Sequence, residues 1–148
     1  MAAAGGSRDE RTLDQVKAEI LRRGGRNSPL EHITAEDAQA AVAALKSLDR
    51  DHWAEVWTAI GLRHEADGDA LQQQGADVAA QRDAWFRAYA NCRTGRYPVA
   101  STEGKREAHR HALRCFRKAA QFFDPPLRVV EIPFEGKVLT GYLQVPAG

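Results

Sequence analysis

LRVVEIPFEGKVLTGYLQVPAG, residues Leu127–Gly148, is the one stretch of this chain that carries the two-residue period of β-structure. Val130, Ile132 and Phe134 alternate with Val129, Glu131 and Pro133, and the alternation resumes from Val138 to Val145. Glu135-Gly136 lies between the two runs, and glycine accepts the positive φ of a tight hairpin turn. With a two-residue loop there, Ile132 faces Leu139, Val130 faces Gly141 and Val129 faces Tyr142. One face of the hairpin then gathers Val130, Ile132, Phe134, Leu139, Leu143 and Val145.

That face needs a cover. A lone two-stranded hairpin is marginal in water and its edges invite pairing. The hairpin is therefore expected to open a larger sheet, and the chain to be the front part of a longer protein, with Pro146-Ala147-Gly148 as a turn.

Upstream the period changes to that of helices. Thr12 with Gln15 forms a capping-box pattern, followed by the apolar face Leu13, Val16, Ile20 and Leu21, with Gly24-Gly25 as the stop. Thr34 opens a second helix facing the core through Ala38, Ala41, Val42, Leu45 and Leu48. Asp49 or Asp51 caps a third, in which Trp53, Val56, Trp57 and Ile60 recur at i, i+3, i+4 and i+7. Gly68 is expected to end it, with Ala70–Gln74 as a separate short turn. The fourth helix spans about 76–93, carries Val78, Trp85, Phe86, Tyr89 and Cys92, and is expected to stop at Gly95. Ser101 or Thr102 caps the fifth, about 103–123, whose inner stripe is Ala108, Ala112, Phe116, Ala119 and Phe123. Pro125-Pro126 ends it. The fold class is thus mainly α: a bundle of about five helices followed by a C-terminal β-hairpin. Residues 1–11 read as a disordered N-terminus, 12–124 as a helical domain and 125–148 as the hairpin.

Composition narrows the function classes. At 148 residues, 43% apolar and 28% charged, the chain suits one globular domain. A net charge of +1 gives no global field for nucleic acid or anionic membrane. No run approaches a membrane span, and the N-terminus has no apolar secretory core. Two cysteines, Cys92 and Cys115, do not make a disulfide framework, so a cytoplasmic setting is expected.

Catalytic patterns are missing from the sequence. It contains no Gly-x-Ser-x-Gly, no phosphate-binding glycine loop, no dinucleotide fingerprint and no His-Glu-x-x-His. His111 and Cys115 share a face of the fifth helix, but two ligands fall short of the four of a structural zinc site, and no metal or cofactor is expected. Arg106, Arg110, Arg114 and Arg117 form a basic stripe without interleaved aromatic residues; it reads as a solvated face, or one paired with Glu55, Glu65, Asp67 or Asp69, rather than as a nucleic-acid surface. Trp53, Trp57, Trp85, Phe86 and Tyr89 read first as packing residues, with one or two as candidates for lining an apolar pocket. Arg82 and Arg87 bracket Trp85, as an exposed pair or as anchors for an anionic or carbonyl-bearing ligand.

A family resemblance adds to this. Trp53-x-x-x-Trp57, Gly68-Asp69, the run Arg82–Ala88 (RDAWFRA), the run Arg114–Ala120 (RCFRKAA), Pro126–Gly136 and Leu139–Pro146 together resemble the N-terminal part of α/β-hydrolases of the 2,6-dihydroxypseudooxynicotine hydrolase type, with the FrsA-like esterases and fungal polyketide-shortening hydrolases as related members. The resemblance covers about 53–148. It implies a helical lid over an active site, dimer contacts through that lid, and a hairpin that begins the hydrolase sheet. The family often has tyrosines soon after the Arg-Ala of the fourth helix, where this chain has Asn91-Cys92. Its serine, acid, histidine and oxyanion loop all fall beyond Gly148, so no catalytic residue carries over and the chain alone is expected to be inactive. Trp85, Tyr89 and Arg87 are the residues this reading places around a substrate pocket, for a small-molecule ester or ketone. The competing expectation is a free-standing helical interaction module that uses the hairpin edge or the basic stripe.

Overall fold

The computed structural model describes residues 11–146. The expectation for the first residues therefore lies, Arg11 apart, outside the described part, as does the end of the Pro146-Ala147-Gly148 turn. Five helices are followed by two strands: α1 (Leu13–Arg23), α2 (Ala35–Ala44), α3 (Arg50–Gln73), α4 (Val78–Arg96), α5 (Glu103–Ala120), β1 (Arg128–Phe134) and β2 (Lys137–Leu143).

Each helix starts where a short polar side chain can satisfy its first amides. Thr12 and Gln15 complete the capping box on α1. Thr34 caps α2, Asp49 caps α3 through the amides of Asp51 and His52, Asp77 caps α4, and Thr102 caps α5. Asp51, the alternative cap for α3, instead accepts from the Gly104 amide at 3.0 Å and ties the start of α5 to the start of α3.

Four helix ends differ from expectation, that of α5 among them: it stops at Ala120, so Phe123 lies beyond the helix and Pro125-Pro126 is not what ends it. α2 ends at Ala44 because Leu45 takes extended backbone; Leu45 is still buried, but Leu48 lies beyond the helix and is exposed. α3 runs through Gly68 to Gln73 without a break. α4 likewise runs through Gly95 to Arg96. Both glycines are packing positions. A Cβ on Gly68 would come within 2.6 Å of the Trp85 indole, and one on Gly95 within 3.2 Å of the Ala54 carbonyl. Gly61 completes the row: its Cβ would meet Cys92 Sγ at 2.5 Å and the Ala88 carbonyl at 2.9 Å. Small residues at these points let α3 and α4 approach closely, which outweighs the intrinsic cost of glycine in a helix.

The bundle has two connected interiors. One joins α1, α2 and α3 around Trp57, with Ile20, Leu30, Ile33, Ala38, Ala41, Leu45, Val56 and Ile60. The other is the α3–α4–α5 seam, where Ala88, Cys92, Ala108, Ala112, Cys115 and Ala119 are buried. Small side chains line most of it and let the helices approach closely, with Trp85 as its large buried group.

The hairpin pairs antiparallel with Val129 opposite Tyr142, Val130 opposite Gly141 and Ile132 opposite Leu139, the register expected from the sequence. Glu135 (φ 46°) and Gly136 (φ 72°) both take positive φ, the signature of the type I′ loop that suits strand twist. The apolar face is not covered: Ile132, Phe134, Leu139, Leu143 and Val145 are each about half exposed or more (45–55%).

Candidate functional site

Of the aromatic residues singled out in sequence, Trp53 and Trp57 pack in the interior of α1, α2 and α3, whereas Trp85, Phe86 and Tyr89 of α4 contact rings of α5 and of the segment after it. Trp85 is 1% exposed. Its ring stacks parallel to Phe122 with centroids 6.1 Å apart, and its indole N–H donates to Asp69 Oδ1 at 2.8 Å. The Lys118 ammonium lies 5.8 Å from its centroid, at the outer limit of a cation–π contact. Trp85 therefore fills the α3–α4–α5 seam. Tyr89 lies one turn on and is half-buried, with its ring between Phe86 (5.5 Å) and Phe116 (5.1 Å). Arg87 is exposed, and its backbone carbonyl accepts from Asn91. Arg82 pairs with neighbouring Asp83 on the surface.

Tyr89 belongs to an aromatic row that sequence reading saw only in part. Phe86 touches His32 at 5.1 Å on one side and Phe123 at 6.5 Å on the other. Phe116 contacts Phe123 at 5.8 Å and, across from the hairpin, Tyr142 at 5.3 Å. Phe86, Tyr89, Phe116, Phe123 and Tyr142 are all half-buried, so the row stays partly open to solvent. The spacing of Phe86, Tyr89 and Phe116 along α4 and α5 was the available signal; the joining rings came from the loop before α2 and from β2.

The basic stripe of α5 is largely neutralised. Arg114 forks onto Glu65 with bonds of 2.8 and 2.6 Å, and Lys118 reaches both Glu65 (2.9 Å) and Asp69 (2.7 Å). Arg106 and Arg110 share Glu103 at the start of the helix. Glu55 and Asp67 take no part: Glu55 sits beside His52, and no pairing of Asp67 occurs among the described residues. The Arg114 hydrogen bond, opposed by burial and helped by Lys118, holds the Glu65 carboxyl down at about 2. Arg117, one of the four stripe residues, donates from Nε to the Tyr142 hydroxyl at 3.3 Å.

A second polar cluster ties α2 to α3 and α4. The His64 Nε2 edge lies 2.9 and 3.0 Å from the two oxygens of Asp37, and Asn91 Nδ2 donates to Asp37 Oδ2 at 3.0 Å. Burial raises the Asp37 carboxyl, but the bonds from His64 and Asn91 reverse that and leave it below the usual carboxylate range. The residues are too far apart in the chain for a local pattern to reveal them. Among the described residues no hydroxyl or thiol is hydrogen-bonded to the His64 ring, so this carboxylate–imidazole pair lacks the nucleophile of a catalytic relay.

His111 Nε2 lies 3.8 Å from Glu107, and Cys115 is wholly buried. The neighbouring Cys92 thiol and burial push the Cys115 thiol strongly up, which keeps it protonated. Among the described residues no three His, Cys, Asp or Glu side chains are grouped to hold an ion. No helix among them is long and apolar enough to cross a membrane.

No family model matches the chain. Individual proteins do, two described as α/β hydrolases and one as a hydrolase. The chain distantly resembles fungal α/β-hydrolases. It is 29% identical over 141 residues to the α/β hydrolase ucsC of an Acremonium species, covering 87% of this chain and 28% of that protein. The hydrolase phmG of Phaeosphaeria nodorum is 30% identical over 133 residues, covering 80% of this chain and 30% of its own length. The α/β hydrolase psoB of Aspergillus fumigatus is 29% identical over 125 residues, covering 80% and 28%. The chain thus spans less than a third of each of these relatives. Matches this broad also reach into the residues before Trp53.

Proposed function

We propose that this chain is the helical lid and leading β-hairpin of a serine α/β-hydrolase of the 2,6-dihydroxypseudooxynicotine hydrolase or FrsA-like type. The intact enzyme would cleave an ester, or a carbon–carbon bond beside a ketone, in a small-molecule substrate through attack by a serine. The observation that carries this reading is the hairpin: two strands in good register whose apolar face is left in water by the five helices. Similarity to hydrolases of which this chain matches less than a third supports it. In this reading the lid excludes water and its half-exposed aromatic row shapes the roof of the pocket. Tyr89, between Phe86 and Phe116, is the lining candidate best placed for that role; Arg87 stands at the exposed rim, and Trp85 supports the row from behind. Dimer contacts through the helical layer belong to the same reading.

The test is the reading frame after the codon for Gly148. An uninterrupted frame that encodes Gly-x-Ser-x-Gly, and whose product hydrolyses p-nitrophenyl esters while the 148-residue chain does not, is the expected result. A stop codon there, with the chain soluble, monomeric and cooperatively folded, would overturn it in favour of a self-contained interaction module.

A further inference from the structure

The helical layer and the hairpin meet at very few side chains. The root of the hairpin is held where Tyr142 of β2 lies on α5: its ring stands edge-on to Phe116, with centroids 5.3 Å apart and planes at 75°, and its hydroxyl accepts from Arg117 Nε at 3.3 Å. Tyr142 is half-buried, whereas Val129, Glu131, Pro133, Val138 and Thr140 on the same hairpin face are exposed. Gln144 Nε2 donates to the Pro125 carbonyl at 2.8 Å, which closes the base of the hairpin on its own linker and not on a helix. Arg117 makes no ion pair among the described residues, so its hydrogen bond to Tyr142 meets no carboxylate competitor there. Seven-residue strands at about 3.3 Å per residue carry the Glu135–Gly136 tip roughly 20 Å from this root. A small rotation at Tyr142 would therefore swing the whole apolar face.

We infer that Phe116, Arg117 and Tyr142 form the joint that fixes the direction in which the hairpin leaves the helical layer, with Tyr142 as the positioning residue. The inference deepens the lid reading, on which its functional meaning rests: in an intact hydrolase this joint would set how the lid sits over the sheet that the hairpin begins. The physical claim itself concerns this chain alone. The stacked pair supplies the contact and the guanidinium supplies the angle, since a hydrogen bond to the phenol oxygen is directional while ring contact tolerates sliding.

Residual dipolar couplings on the isotopically labelled chain test it. In the unaltered protein one alignment tensor should fit the amides of both α3–α5 and β1–β2. Tyr142→Thr keeps a good strand residue but removes the ring and its hydroxyl contact, and should abolish the shared tensor while helix melting stays unchanged. Tyr142→Phe keeps the ring stack and should retain one tensor with a measurably reoriented hairpin. Strands that melt alone in Tyr142→Thr, with the helices intact, count as the same loss. Phe116→Leu removes the other ring and serves if Tyr142→Thr does not fold. Two independent tensors in the unaltered chain, or one unchanged tensor in Tyr142→Thr or Phe116→Leu, would overturn the joint. The lid reading fails separately, on the frame beyond Gly148.

Discussion

Gly68 of α3 and Trp85 of α4 share one space: the indole lies where a Cβ on the glycine would stand, 2.6 Å from Cδ1. The indole is further fixed by Asp69 and Phe122, so it has little room to yield. Gly68→Ala gains helix propensity of about 1 kcal/mol but forces overpacking of roughly 1–3 kcal/mol, and a net loss is expected in urea unfolding. Gly61→Ala should cost more, because the obstacle at 2.9 Å is the Ala88 backbone carbonyl and not a side chain alone. Equal midpoints for both variants and the unaltered protein would show that α3 and α4 can move apart at no cost.

Trp85→Ala should act on stability. A wholly buried indole with a hydrogen bond to Asp69 is worth about 3–5 kcal/mol on truncation. Tyr89→Ala, at a half-exposed ring, should cost less, and in the intact hydrolase it should shift the ratio of kcat/KM between aryl and alkyl esters. A stable Trp85→Ala with altered selectivity would move the pocket to Trp85 itself.

Glu65 sets an acid limb. Its carboxyl sits at about 2 in the folded chain, held down first by Arg114, against an ordinary value of 4.5. The folded value is the lower one, so the stabilisation is present in full above about 4.5 and drains away as pH falls towards about 2. Thermal melts over that window should lose on the order of 2 kcal/mol, discounted from the full shift because Arg114 is half in water. Glu65→Gln should flatten that part of the profile and lower stability at neutral pH. A profile of unchanged slope would mean that other carboxylates carry the acid transition.

Removal of Leu127–Gly148 should leave far-UV helicity and the helix melting temperature nearly unchanged and reduce self-association in sedimentation. The hairpin exposes a contiguous apolar surface and touches the helices chiefly through Tyr142. Collapse of the helices on this deletion would place the domain boundary elsewhere than near Asp124.

Much of the architecture was legible because it is local. Thr12, Thr34, Asp49 and Thr102 announce helix starts through side chains that reach amides two or three residues on, and the hairpin register follows from a two-residue loop. Glycine was the ambiguous letter. Gly24 closes α1, whereas Gly68 and Gly95 lie inside helices because a neighbouring helix needs the room, and nothing local separates these two uses. Leu48 misled for a similar reason: its spacing continues the α2 face, but the backbone has already turned at Leu45. At the candidate site, Tyr89 and Phe116 were visible as aromatic spacing on α4 and α5, while the link to Tyr142 depended on how the hairpin folds back.

The Asp37–His64–Asn91 tie has 27 and 54 residues between its ends and holds the first two helices to the rest. Asp37→Ala should cost about 2–4 kcal/mol, since it leaves a buried amide and an imidazole without their acceptor. A double-mutant cycle with Asn91→Ala should show coupling of about 1 kcal/mol or more, and additive losses would refute the tie. Its wider consequence concerns choice among near-equal dockings. Alanine-rich surfaces slide easily over one another, and a helical pair seated one turn out of place would strand a dry carboxylate opposite methyl groups. The cluster therefore favours the one seating of α2 in which its carboxylate is paired over any that leaves it dry and alone.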